Sequence, residues 1–169
     1  SDLVAYVLSF APENPASGFS TVLTASLAYT KGDAIVNDAV VFAITDTTNI
    51  WYPWTDSYSD ASFNAYTAGG VTRVSRPQPL LSDIEFDAGG AMILGLTDRG
   101  ALQLGGYNYR PTSNASLIGY ASGGDILRAC KNTSGAYELE SNSVCGGITG
   151  SRGIGNQANT GVGGGEFYG

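Results

Sequence analysis

The chain has no histidine, and that absence removes more chemistry than any other gap in its composition. Without an imidazole, the Ser/His/Asp and Cys/His nucleophile systems cannot be assembled. Two cysteines are too few for a structural zinc site, and no histidine can complete one in the usual way. Lys31 and Lys131 are the only lysines, and neither lies near a nucleophile motif. Basic residues are scarce too: 8 Lys+Arg against 15 Asp+Glu give a net charge of −7. A surface of that sign repels phosphate backbones, so no nucleic-acid partner is expected. The purely apolar run Ala39 to Ile44 falls far short of the roughly 20 residues that a membrane-spanning helix needs, so no span is expected. The glycines between Gly161 and Gly165 lack the following Lys-Ser/Thr of a phosphate loop.

What is present points to strands. Twenty-four glycines and ten tyrosines against one methionine suit β-structure with many turns, and few windows carry the i, i+3, i+4, i+7 spacing of a helix. Between Leu80 and Asp87 the chain alternates, with Leu80, Ile84 and Phe86 on one side and Asp83, Glu85 and Asp87 on the other. This is the period of a half-buried strand. Ala88-Gly89-Gly90 supplies a turn, and Ala91 to Leu96 returns as a nearly apolar strand. Leu3 to Phe10 and Phe19 to Tyr29 predict an earlier hairpin, closed by the turn-forming run from Ala11 to Gly18. Lys31-Gly32-Asp33 predicts a turn, and Val40 to Thr45 a third, short strand. Asp125 to Cys130 and Ala136 to Glu140 predict a further hairpin, after the tyrosine-bearing stretch Gly100 to Pro111 and the apolar Leu117 to Ala121.

Asp46 to Arg76 is the least regular stretch, a long insertion rich in aromatic residues. Gly146 to Gly169 is glycine-rich and nearly free of apolar residues until Phe167, so it predicts a pinned loop or a tail. Residues 1–169 read as one β-rich, all-β domain of antiparallel hairpins, an excised or processed part of something longer, because the chain does not begin with Met.

Several residue sets carry candidate chemistry. Cys130 and Cys145 are either a disulfide, which implies an oxidising compartment, or two buried thiols. Asp83, Glu85 and Asp87 follow one another on one strand face. They read as a solvated face, as calcium ligands, or as the spaced carboxylates of an inverting glycosidase. Asp98-Arg99 ends the second strand of that hairpin and reads as an ion pair or a turn cap. Trp51, Tyr52 and Trp54 either stack on a sugar or a partner, or form the core of their own insertion. Asn114-Ala-Ser and Asn132-Thr-Ser match the glycan acceptor pattern, which in a bacterial protein arises mostly by chance.

Five segments together resemble a known family: Ala5 to Pro12, Trp51 to Asp56, Arg76 to Asp87, Gly124 to Cys130 and Gly163 to Tyr168. They are similar to the propeller-like region of large bacterial cell-surface proteins that also carry serine-aspartate-repeat B-like domains. The resemblance implies an extracellular location, β-propeller-like blades and no catalytic residues or cofactor to carry over. Propeller blades take roughly 40–50 residues each, so the chain holds about three to four. An incomplete ring leaves open sheet edges that invite pairing with another chain. The expectation is therefore a non-enzymatic structural or adhesive module that associates with itself or with other surface-protein chains. The alternatives are a glycan-binding, lectin-like module using Trp51, Tyr52 and Trp54, or a propeller glycosidase using Asp83 and Asp87.

Overall fold

The computed structural model describes residues 3–31, 49–68, 70–121, 123–141 and 144–149. The strand expected at Val40 to Thr45, the turn beyond Lys31, and the glycine-rich segment after Thr149 lie outside the described residues.

The class is all-β. Strands β1 (Val4–Ser9) and β2 (Ser20–Ser26) form the expected first hairpin, in a register running from Val4 against Ser26 to Ser9 against Ser20. Their connection holds a short 3₁₀ turn, Pro15–Ser17. Val7, Leu23 and Ala25 face inward and are buried, while Tyr6 and Leu8 on the other face are exposed.

Two four-stranded sheets follow. The second contains β3 (Tyr66–Ala68), β4 (Val71–Val74), β7 (Asn108–Arg110) and β8 (Ser113–Tyr120), in the order β3-β4-β8-β7. The first contains β5 (Pro79–Phe86), β6 (Met92–Asp98), β9 (Asp125–Lys131) and β10 (Tyr137–Leu139), in the order β10-β9-β6-β5. Every pairing in the first sheet is antiparallel, whereas β4 and β8 pair in parallel. Helix α1 (Arg99–Leu104) leaves the end of β6, and β11 (Val144–Cys145) pairs with β12 (Ile148–Thr149). The sheets are thus not a row of separate hairpins. The chain leaves the first sheet after β6, builds α1, β7 and β8 onto the β3–β4 pair, and returns as β9. The expected irregular insertion supplies β3 and β4, strands too short for a period-2 pattern to show.

The β1–β2 hairpin packs on the first sheet. Val7, Leu23, Ala25 and Leu27 meet Met92, Leu94, Leu96, Leu127 and Ala129, with Trp51 closing the same core. A smaller core of Phe63, Val74, Leu104 and Ile118 lies between the second sheet and α1.

The β5–β6 hairpin forms as expected, but its faces differ from the simple alternation. The register shifts between Leu81 and Asp83: Leu81 pairs with Leu96, and Asp83 with Gly95. Ser82 is the extra residue, and a bulge of this kind reverses side-chain parity. Leu81, not Leu80, therefore shares the core face with Ile84 and Phe86. Nor are the last two buried. They sit beside Leu94 and Met92 on a strand that, among the described residues, is paired on one side only, and stand 37% and 60% exposed. Gly90, at φ 79°, provides the left-handed backbone of the turn.

Cys130 and Cys145 form a disulfide, with their Cα atoms 5.6 Å apart. It does not tie the ends of the β9–β10 hairpin, because Glu138 is the residue opposite Cys130. The bond reaches past β10 and fastens β11 to β9.

Candidate functional site

The aromatic triplet divides into three environments. Trp51 is core, 3% exposed, with the Lys31 ammonium 4.6 Å from its ring centroid. Its indole N–H donates to the Tyr29 hydroxyl at 3.3 Å, which donates in turn to Asp125 Oδ2 at 2.6 Å. Burial raises the Asp125 carboxyl above its ordinary range, against the opposing pull of that hydrogen bond. Tyr52 is half-buried, and the Arg76 guanidinium stacks on it at 4.7 Å. Trp54 alone is a surface residue, at 57% exposure. It is held rigidly, since its indole N–H donates to the Pro79 carbonyl at 2.7 Å and the Arg99 guanidinium lies 4.9 Å from its ring.

Arg99 is fixed in its own right. It forms an ion pair with Asp56 at 2.8 Å and donates to Gln78 Oε1 at 3.2 Å. Its neighbour Asp98 is fully buried and acts as a hub. Asp98 Oδ1 accepts from the Gln78 and Gly100 amides at 3.0 and 2.9 Å and from the Tyr120 hydroxyl at 3.1 Å. Burial pushes the Asp98 carboxyl up, although the Gln78 amide and the other donors pull it down. Asp98 therefore caps α1, as a strand-end Asp can, while Arg99 pairs with Asp56 rather than with its neighbour.

Beside Trp54 runs a groove of about 420 Å³, lined by Leu3, Ala5, Tyr6, Pro79 and Leu81 among others. Its walls belong to β1 and β5, and among the described residues each of those strands is paired on one side only. The side chains lining the groove are apolar or aromatic, and two exposed aromatics, Tyr6 and Trp54, are among them. No alternation in the sequence signals it, because its two walls are 70-odd residues apart in the chain.

The three carboxylates of the β5 hairpin are not brought together. Asp83 Oδ1 accepts from the Ile84 amide at 2.9 Å. Asp87 lies past the end of the strand and accepts from the Gly89 and Ala91 amides at 2.8 and 2.9 Å. Asp87 also forms an ion pair with Arg128 at 2.5 Å. The Ala91 amide is the largest influence holding the Asp87 carboxyl below its ordinary value. Among the described residues, no three His, Cys, Asp or Glu side chains converge as an ion site would require.

Of the two glycan-acceptor patterns, Asn114 is exposed on β8 and Asn132 sits in the β9–β10 turn. Asn132 Oδ1 accepts from the Ser134 and Ala136 amides at 3.0 and 3.1 Å, the bonding of a turn cap.

Two proteins of Dictyostelium discoideum are similar to this chain. Colossin-B is 32% identical over 160 residues, covering 90% of this chain but 4% of its own length. Colossin-C is 27% identical over 172 residues, covering 99% of this chain and 14% of its own length. The chain thus spans a small fraction of the relatives it matches. No family model matches it, and no solved structure does. These relatives are eukaryotic, and they overturn the resemblance to a region of bacterial surface proteins. The five segments that carried it are short and rich in Gly, Pro, Asp and aromatics, residues that recur wherever hairpins need turns.

Proposed function

We propose that this chain is a non-enzymatic, structural module of an extracellular protein, and that it works by strand-to-strand association between copies. The observation that carries the reading is the pair of edges, β1 and β5, that are open among the described residues and flank one groove lined by apolar side chains. An unpaired edge offers a row of N–H and C=O groups to another strand. The edges are also chemically unlike. β5 carries exposed Asp83 and Glu85, so two β5 edges repel, while β1 (Val4–Ser9) has no charge. Pairing of β1 in one copy with β5 in the next is favoured, and a head-to-tail contact of that kind propagates into an open fibre unless its rotation closes. Exposed Ile84 and Phe86 would then be covered by the neighbour. The disulfide and the acidic, charge-poor surface support an extracellular setting.

Light scattering across a concentration series tests this. The expected result is a mass rising above 17.4 kDa, with Tyr6→Glu remaining monomeric because it sets a carboxylate against Asp83 and Glu85 of the next copy. A wild-type chain that stays at 17.4 kDa at every concentration overturns the reading.

A glycan-binding role is the second reading, and the rigid, exposed indole of Trp54 favours it. It narrows the site from three aromatics to one, since Trp51 is core and Tyr52 is stacked under Arg76. Glycan-array binding that Trp54→Ala leaves unchanged would remove it. Hydrolysis by Asp83 and Asp87 has less support. Asp87 is held ionised by its turn amides and Arg128, whereas a general acid needs its proton retained.

A further inference from the structure

We propose that Asn114 is the acceptor of an N-linked glycan and that Asn132, which carries the same pattern, is not; the proposal rests on the extracellular reading above. The register around Asn114 is the deciding observation. Arg110 pairs with Ser113 and Tyr109 with Leu117, so residues 114 to 116 bulge out of the β7–β8 ladder. On the other side β4 begins to pair with β8 only at Ile118. Asn114, Ala115 and Ser116 are therefore unpaired toward either neighbour strand, and all three are exposed. The acceptor carboxamide lies on a protruding, exposed stretch with room for a large sugar, and the Ser116 hydroxyl that the pattern requires is exposed beside it, accepting a hydrogen bond from the Arg110 guanidinium.

Asn132 differs at the acceptor side chain itself. Its Oδ1 accepts from the Ser134 hydroxyl at 2.7 Å as well as from two turn amides, and its Nδ2 donates to Glu138. It also lies two residues from the disulfide-bonded Cys130, which ties that turn to β11. The turn accounts for Asn132, while nothing in the β7–β8 connection accounts for Asn114.

The reaction takes its sugar from a lipid-pyrophosphate-linked oligosaccharide supplied by the secretory compartment. The Asn114 Nδ2 forms a bond to the anomeric carbon and loses one proton. The carbon–oxygen bond to the pyrophosphate breaks, and the lipid pyrophosphate leaves with the electron pair. A glycan here would stand on the second sheet, away from the β1 edge of the first hairpin and the β5 edge of the first sheet.

The test is cell-free translation of the full chain behind an appended signal sequence in the presence of endoplasmic-reticulum microsomes, reading only protease-protected, lumenal product. The expected result is a slower band that endoglycosidase collapses. Asn114→Gln loses one glycan's step and Asn132→Gln keeps it. An unshifted wild-type band, or a shift that Asn114→Gln retains in full, overturns the proposal. Because the signal is supplied, a missing glycan counts against Asn114 alone. The extracellular reading fails separately, if the tagged full-length protein stays inside its native cell.

Discussion

The Tyr120 hydroxyl donates to Asp98 Oδ1 at 3.1 Å and accepts from the Arg76 amide at 3.2 Å. That single oxygen joins β8 of the second sheet to the end of β6 in the first. Its acceptor is a fully buried carboxylate, so the bond spans the seam between the two sheets at a point water does not reach. Tyr120→Phe keeps the ring but strands the Arg76 amide and removes one donor from Asp98. Hydrogen bonds to charged groups contribute roughly 1.5–3 kcal/mol, and a loss of about 2 kcal/mol in urea unfolding is expected. An unchanged midpoint would show that the seam does not depend on this oxygen.

Gly100 sits under the same tyrosine. A Cβ added there would lie 2.7 Å from Tyr120 Cζ, closer than real Cβ atoms approach. Gly100→Ala, although it improves helix propensity in α1, should destabilise the chain by about 1–3 kcal/mol through overpacking. Gly106→Ala, with open space around its added methyl, serves as the control, and thermal melts of the two should diverge.

Trp51 and Trp54 stand three residues apart and should respond oppositely. Trp51→Ala opens a cavity among Leu23, Leu96 and Leu127, at about 3–5 kcal/mol. Trp54→Ala should leave the melting temperature within a few degrees, yet weaken any association or glycan binding that uses the groove. Equal destabilisation by both would contradict the division between core and surface.

Acid should weaken the β5–β6 turn. The Asp87 carboxyl lies below its ordinary value, so its contribution is present above the unfolded pKa of about 3.9 and is lost as pH falls through the lower folded value. Asp60, lowered chiefly by its hydrogen bond from Arg110, acts in the same window. Buried Asp98 and Asp125 have the opposite sign: their raised values favour the folded state at low pH and give up that benefit as pH rises through the folded pKa. Asp87→Asn should flatten the acid limb of stability against pH below the unfolded carboxylate value of about 3.9, measured by chemical unfolding. A limb of unchanged slope would show that Asp87 does not contribute.

Reduction should also be measurable. On the chain-entropy estimate, a loop of about 15 residues closed by a disulfide contributes about 3 kcal/mol. Treatment with dithiothreitol, or Cys145→Ser, should lower the free energy of unfolding by that amount and release β11 first, seen as faster amide exchange at position 145.

Much of the fold was legible in the residues. The hairpins at Leu3 to Tyr29, Leu80 to Leu96 and Asp125 to Glu140 could each be read locally, because partner strands lie close in sequence and their turns carry Gly, Pro or Asn. The parallel pairing of Thr72 with Ile118 was not legible, since neither strand encodes its distant partner. The bulge at Ser82 was hidden as well: Leu80, Ile84 and Phe86 keep perfect spacing while the backbone shifts parity beneath them. The candidate site shows the same division. The sequence singled out Trp51, Tyr52 and Trp54, but burial alone separated the one exposed indole from the two that pack.

Composition and short-range pattern determined the all-β class, the three local hairpins, the exclusion of imidazole chemistry and the availability of one disulfide. These depend on residue type and on spacings of a few residues. Tertiary structure alone decided which strands became edges, that β1 and β5 share a groove, that Asp98 is sealed beneath Tyr120, and that Asn114 rather than Asn132 stands clear of the ladder. Each of these depends on residues distant in sequence meeting or failing to meet, and no local periodicity records that outcome.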